Sequence, residues 1–439
     1  MRILIIADEV WNDEVHGNNV LSNWFSGFDA EFAHIYGSPG SPKNNSCTNY
    51  FQVTDIMMAK SILGKPAGRA FKISVSDMQQ ENGSVAEAKP EKFYQIMKSM
   101  TGEGLRTVRE MIWQAGKYDT VALKKFVTDF NPDIVFCPRL LTPKVLRLEK
   151  IVSTMTKAPF VAFTADDEAS LMQVSYSPLF WIKRHLFRKQ FKKHIGLYKH
   201  YYTFSEEQAN EYHRLYNVPA STLYKGGNFN TEFKPKQVHE PIRMVYAGRF
   251  YCSRWKTLGQ ISKAIKNINS AGVRIIMDVY TPDTVTDEQR SAICLSEDVQ
   301  IKGRVTPAEL REIYAVSDIA LHVESFEKKY KYATRVSFST KIVDLMASSC
   351  AIMAICWHQH AGYQYLKKND AAFCIPATDE IEPVLRRIAH NPVVIEEYAK
   401  KAWKCGKKHH STKEIQAQIM EKFTSVIEDS KILSMKSTL

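Results

Sequence analysis

The sequence lacks the marks of several large functional classes. Its eight cysteines include no pair at Cys-x-x-Cys spacing, so neither a zinc ribbon nor a thioredoxin-type redox pair is written in the chain. No Gly-x-Gly-x-x-Gly occurs, which argues against a dinucleotide-dependent dehydrogenase. No apolar run approaches the roughly 20 residues that a membrane-spanning helix needs. Met1-Arg2-Ile3-Leu4-Ile5-Ile6-Ala7-Asp8 meets charge too soon for a signal peptide and reads as a buried first strand. No internal repeat is visible, and the composition fits neither a disordered nor a collagen-like chain.

What is present is ordinary for a globular protein: 439 residues, 44% hydrophobic and 24% charged, with a formal net charge of +12. At this length two domains are expected. The cationic excess calls for an anionic partner, and nucleic acid, an acidic membrane and a phosphorylated substrate all fit charge alone. Cys137, Cys350, Cys356 and Cys374 lie in apolar, strand-like runs. They read as buried reduced thiols of a cytosolic protein.

Short apolar runs alternate with helix-like stretches. The runs are Arg2–Asp8, Glu31–Gly37, Asp133–Pro138, Phe160–Ala165 and Tyr201–Ser205, then Ile242–Gly248, Val273–Thr281, Val299–Val305, Ile319–Glu324, Cys350–Cys356 and Ala371–Pro376. Continuous apolar strands between helices predict parallel sheets covered on both faces. Two such sets predict two doubly wound, Rossmann-like α/β domains facing across a cleft. The break is expected in the polar, proline-containing stretch 233–241, giving domains 1–235 and 242–410. From Ser411 a last helix is expected, with Ile415, Ile419, Phe423 and Ile427 at helical spacing, and it can cross back to the first domain. Ligands of such sheets sit beyond the carboxyl ends of strands.

In the second half, a strand ends at Gly248-Arg249, and Lys256 lies near the start of the next helix. An arginine fork and a lysine point charge at that place suit a diphosphate; two solvated surface cations are the alternative. Further on, Ser339-Thr340-Lys341 precedes Ile342, Leu345 and Met346, the apolar face of a helix. Free amides at that start would hold an anion. Lys341 in a first turn opposes the helix dipole, which a bound anion would explain. An ordinary capped helix with a surface lysine is the other reading.

From Gly248-Arg249 through Lys256 to Asp344, the chain resembles the C-terminal half of a family 4-type, GT-B-fold retaining glycosyltransferase. It is most similar to the bacterial polysaccharide-biosynthesis variety with a Ser-Phe-Ser-Thr-Lys stretch before the donor helix. The resemblance covers most of the chain and is strongest over residues 242–376. It implies an enzyme that moves a hexose-type sugar from a nucleotide-diphosphate donor, UDP-linked, with retention and without a metal or other cofactor. No Asp-x-Asp occurs, so the common metal-binding signature of the other major glycosyltransferase fold is missing. The resemblance implies that Arg249 and Lys256 hold the diphosphate, that Ser339, Thr340 and Lys341 add amide contacts, and that Asp344 takes ribose hydroxyls. Two departures stand out. Asp344 replaces the family's usual Glu, and the paired acid eight positions earlier is Val336. Glu324 or Glu327 would have to substitute.

On the acceptor side, His16, Gly17 and Asn18 follow the first strand in a turn-rich loop. Asp166 and Asp167 end the strand at Phe160–Ala165, and Arg139 follows Cys137-Pro138. Asp166 is the candidate base or orienting group for an acceptor hydroxyl, with helix capping as the plain alternative. Ala169 to Ser205 holds no acidic residue. There Arg184, Arg188, Lys189, Lys192 and Lys193 are interleaved with Phe180, Trp181, Phe187, Phe191 and Ile195. An amphipathic basic helix suits an anionic membrane surface and a glycan or polyprenyl-pyrophosphate-linked acceptor at the cytoplasmic face; a solvated helix face is the alternative. A non-catalytic nucleotide- or sugar-binding protein on a decayed transferase fold is the second functional reading, kept open by Val336. Nucleic-acid binding ranks last, because no recognition motif accompanies the charge.

Overall fold

The structure is a computed structural model that describes residues 1–14, 20–74, 103–138, 142–167, 169–229 and 232–436. The chain divides into two compact units. The first is Met1–Ala169, Pro178–Leu223 and Gln416–Leu439; the second is Ser170–Ser177 and Tyr224–Ile415.

The first unit holds β1 (Arg2–Ala7), β2 (Glu31–Tyr36), β3 (Asn49–Gln52), β4 (Arg69–Lys72), β5 (Ile134–Pro138), β6 (Phe160–Thr164), β7 (Tyr198–Thr203) and β8 (Ala220–Thr222). They form one sheet in the order β4-β3-β2-β1-β5-β6-β7-β8. Only the β3–β4 pairing is antiparallel. Ile3 to Ala7 are all buried, as expected for a strand covered on both faces. Strand order reverses between β1 and β5, the place where ligands of such sheets bind.

The second unit holds β9 (Ile242–Ala247), β10 (Ile275–Tyr280), β11 (Val299–Gly303), β12 (Ile319–Val323), β13 (Ala351–Ile355) and β14 (Phe373–Ile375). Their order is β11-β10-β9-β12-β13-β14, parallel throughout. Every residue of β12 and β13 is buried. Helix Arg254–Ile268 covers the sheet with Leu258, Ile261, Ile265 and Ile268, the three-and-four spacing of an apolar stripe. Here order reverses between β9 and β12.

The stretch 233–241 is not a free linker. Phe233 and Val238 pack on the second unit's core, and Lys236 Nζ donates to the carbonyls of Tyr314 (2.9 Å) and Ser317 (2.7 Å). Two prolines and polar flanks therefore mark an anchored entry strap, and the second unit begins earlier, at Tyr224. The last helix, Thr412–Lys436, buries Ile415, Ile419 and Phe423. From Gln416 it counts with the first unit, where the Phe423 ring lies 5.5 Å from that of Phe136.

Candidate functional site

The turn after β9 has unusual backbone. Cys252 and Ser253 are consecutive non-glycine residues at φ 57° and 58°, a conformation that costs L-residues energy and clusters at functional sites. It delivers the 15-residue helix Arg254–Ile268, whose N-cap Ser253 makes no side-chain capping bond. The first-turn amides of that helix lack a side-chain cap at the topological switch of the sheet, the arrangement that receives anions elsewhere.

Glu324 directly follows β12, across that switch. It is buried, and Arg254 grips it with a bidentate pair, Nε to Oε2 at 3.0 Å and Nη2 to Oε1 at 2.7 Å. Burial alone would raise the Glu324 carboxyl, but the Arg254 guanidinium overcomes it and holds its pKa below the ordinary value. Arg254 was not among the sequence candidates. The missing signal is long-range, because its partner lies 70 positions away. Beside this pair, burial pushes His322 down to about 3 and His360 down as well, so both imidazoles are neutral.

Three sequence candidates gather at this end of the sheet. Arg249 is 72% exposed, with only a 3.7 Å approach of Nη1 to Asp283. Lys256, 53% exposed, pairs with Glu327, and that partner raises its pKa. Lys341 is exposed along its stem, yet its Nζ ends against protein and donates to the Ala247 carbonyl at 3.2 Å. A Cβ at Gly248 would meet that ammonium and the Tyr246 hydroxyl, so a side chain there would have to displace the Lys341 head group. Crowding of the ammonium, helped by Arg254, lowers its pKa to about 8.

Thr340 is the N-cap of helix Lys341–Ala347 and, with Ser339 just before it, leads into that short helix, but the Thr340 side chain makes no cap bond. Ile342, Val343, Leu345 and Met346 are its buried face. Asp344 is half-exposed and paired with Lys225, at 2.8 and 3.0 Å. Val336 is buried, so the position of the family's first acid is core. Both possible substitutes already have cations: Glu324 has Arg254 and Glu327 has Lys256.

In the first unit, His16, Gly17, Asn18 and Arg139 lie outside the described residues. Asp166 is exposed, and its carbonyl accepts from Gln208 Nε2 at 2.9 Å. Asp167 is buried and paired with Arg184 at 3.4 Å. The basic stripe is therefore split. Arg184 turns inward onto Asp167 and Arg188 onto the Ala169 carbonyl, while Lys189, Lys192 and Lys193 are exposed. Phe191 and Ile195 belong to the core and Phe187 packs on it, because the inner face of the helix Pro178–His194 covers the sheet. The sequence candidates also omit a pair at the β1/β5 switch: Lys144, almost buried, bonds Asp8 and sits 4.7 Å from the Trp113 ring centre. The signal that marked Lys341 was present here too, a lysine in the first turn after a strand, in Thr142-Pro143-Lys144.

Two doubly wound units with a cationic switch point in the second define the class: this is the GT-B fold of glycosyltransferases. Residues 240–421 match the family model described as glycosyl transferase-like, so the chain carries a glycosyltransferase family domain. No curated protein matches the chain by sequence. Among solved structures, it is similar to sucrose-phosphate synthase from Thermosynechococcus elongatus, with TM-score 0.62, 11% identity, and coverage of 98% of this chain and 99% of that one. HepE from Anabaena in complex with UDP gives TM-score 0.60 at 12% identity, covering 97% and 100%. Trehalose-6-phosphate synthase from E. coli bound with UDP-2-fluoro glucose gives 0.56 at 9% identity, covering 96% and 99%.

Proposed function

We propose that this protein transfers a sugar from a UDP-linked donor to a glycan or polyprenyl-pyrophosphate-linked acceptor in surface polysaccharide assembly. The observation that carries the reading is the gathering of Arg249, Lys256 and Lys341 beside an uncapped helix start at the β9/β12 switch. UDP and UDP-2-fluoro glucose in the similar structures support the nucleotide. As the anomeric C–O bond breaks, the departing diphosphate gains charge, and fixed cations and amides that meet it lower the barrier. Arg249 offers an exposed fork only loosely paired with Asp283, Lys256 exchanges Glu327 for phosphate, and Lys341 approaches past Gly248. Asp344 takes the ribose and Glu324 the sugar hydroxyls. Asp166 orients the acceptor hydroxyl. Retention and metal-free transfer belong to this reading, since these cations supply the positive charge that a metal would.

Hydrolysis assays over UDP-, GDP- and dTDP-sugars test it. Release of UDP is expected, whereas nucleotide binding with no hydrolysis of any donor favours the non-catalytic reading.

Lys341 gives the site a pH signature. The free protein sheds this proton as pH rises through about 8, while a bound diphosphate retains it. UDP affinity is therefore expected to be flat below about pH 8 and to fall by up to about tenfold per pH unit above. Calorimetry in buffers of different ionisation enthalpy reads the matching proton uptake. An affinity flat to about pH 9.5, near the normal range of lysine, removes Lys341 from the clamp.

The same reading places the protein at the cytoplasmic face of the cell membrane. Among the described residues no helix is long and apolar enough to cross a membrane. On helix Pro178–His194, Leu179, Ile182 and Leu186 are exposed at 43%, 57% and 64%, and Lys189, Lys192 and Lys193 are exposed beside them. An apolar stripe with cations fits an anionic lipid surface. Changing the three lysines to Gln is expected to weaken partitioning onto phosphatidylserine vesicles roughly a hundredfold, at about 1 kcal/mol per charge. Unchanged flotation would remove the membrane from the account.

A further inference from the structure

The geometry points to a transition-metal site of the zinc class, built from His322, Cys356 and His360 in the second unit. One ligand atom from each lies within 4.8 Å of the other two, and all three residues are buried. They come from different elements that the fold brings together. His322 is in β12, Cys356 directly follows β13, and His360 is the N-cap of helix Ala361–Lys368. The parallel register sets Val323 opposite Ile355, which carries the Cys356 thiol to the end of β12.

A second observation singles these side chains out. Nε2 of His322 and both ring nitrogens of His360 are buried with no hydrogen-bond partner. The backbone of His360 is fully used: its N–H donates to the Trp357 carbonyl at 2.9 Å, and its carbonyl accepts from Gln364 N–H at 3.0 Å. The turn therefore fixes the ring while leaving its nitrogens uncommitted. Buried polar atoms are normally satisfied, and two imidazoles with a thiol are the donors that a borderline-soft ion satisfies together. Nitrogen and sulfur ligands select zinc or its neighbours over magnesium and calcium.

Glu324, two residues beyond His322, is held by Arg254 and is not needed as a ligand. Three protein ligands leave one position for water. As the ion binds, the Cys356 S–H bond breaks, its proton leaves to solvent, and the sulfur–metal bond forms with no change of oxidation state. The ion ties the ends of β12 and β13 to the helix Ala361–Lys368. The role assigned to it is this tie between elements, with no part in holding phosphates. The sequence spacing conceals it, because the first ligand precedes the Cys-x-x-x-His pair by two helices and a strand.

The full-length chain, stripped with a chelator, is titrated with cobalt(II) and then with zinc(II). The expected result is one cobalt per chain, with a thiolate-to-cobalt charge-transfer band and the strong visible absorption of four-coordinate cobalt, displaced by zinc. Zinc is expected to raise the unfolding temperature. Cys356→Ser should abolish the band and weaken zinc binding by more than about 100-fold, beyond the cost of outer-sphere changes. Cys294→Ser, at a partly exposed thiol, should keep both. His360→Gln gives the same loss as Cys356→Ser and serves if that variant fails to fold. A wild type without the band, or a band that survives in both Cys356→Ser and His360→Gln, overturns the site.

Discussion

Arg249→Ala is expected to fold normally and to lower turnover of a UDP-sugar by about 100- to 1,000-fold, the usual loss when one group aimed at developing charge is removed. Normal folding follows from its surroundings. The side chain is 72% exposed and, among the described residues, approaches one carboxylate at 3.7 Å, so its loss costs the folded state little. Lys256 has a different profile, because it is already paired with Glu327, which a donor phosphate would have to displace. Glu327→Gln should therefore tighten UDP binding while Arg249→Ala loosens it. Steady-state kinetics and UDP titrations separate the two. Equal turnover in Arg249→Ala and wild type would remove this residue from the reaction.

The largest stability effect is expected at Glu324. Its partner Arg254 is only 19% exposed, and Glu324→Ala leaves that guanidinium buried without a counter-charge. Such changes cost about 3–5 kcal/mol, whereas replacing both partners by apolar residues is often neutral or stabilising. Urea unfolding should therefore show a large loss for Glu324→Ala and recovery in the double variant Arg254→Met, Glu324→Leu. Turnover should not recover in the double variant, since the carboxylate assigned to the sugar is still absent. A loss below about 1 kcal/mol, the level of a surface pair, would mean that Arg254 reaches solvent.

The strands legible in the sequence are those with both faces covered. Ile3 to Ala7, Ile319 to Val323 and Ala351 to Ile355 are continuous apolar runs because the sheet buries them on both sides. The strands not foreseen are β3, β4 and β8. The last two are edges: β4 buries only Phe71 and β8 buries nothing fully, so neither carries a hydrophobic pattern. The basic helix shows the opposite failure. Phe187 and Phe191 read as membrane-facing aromatics beside cations, yet they face the core, because a helix on a sheet hides its apolar side whatever the charge of its outer side.

Arg249, Lys256 and Lys341 could be singled out as candidates because strand ends and helix starts are local features. Arg254 with Glu324, and Asp8 with Lys144, were not. Each is a pair made by topology, one residue from each side of a switch point, and neither partner carries a local mark of the other. His322, Cys356 and His360 were hidden for the same reason.

The account rests on the donor diphosphate binding at the β9/β12 switch of the second unit, and calorimetric titration of UDP into the full-length protein tests that most directly. Wild type is expected to bind one UDP per chain. Arg249→Ala and Lys341→Met should each bind at least about tenfold more weakly, the cost of one charge-assisted contact of about 1.5–3 kcal/mol. A wild type that binds no UDP, or variants that bind it as tightly as wild type, would contradict the account.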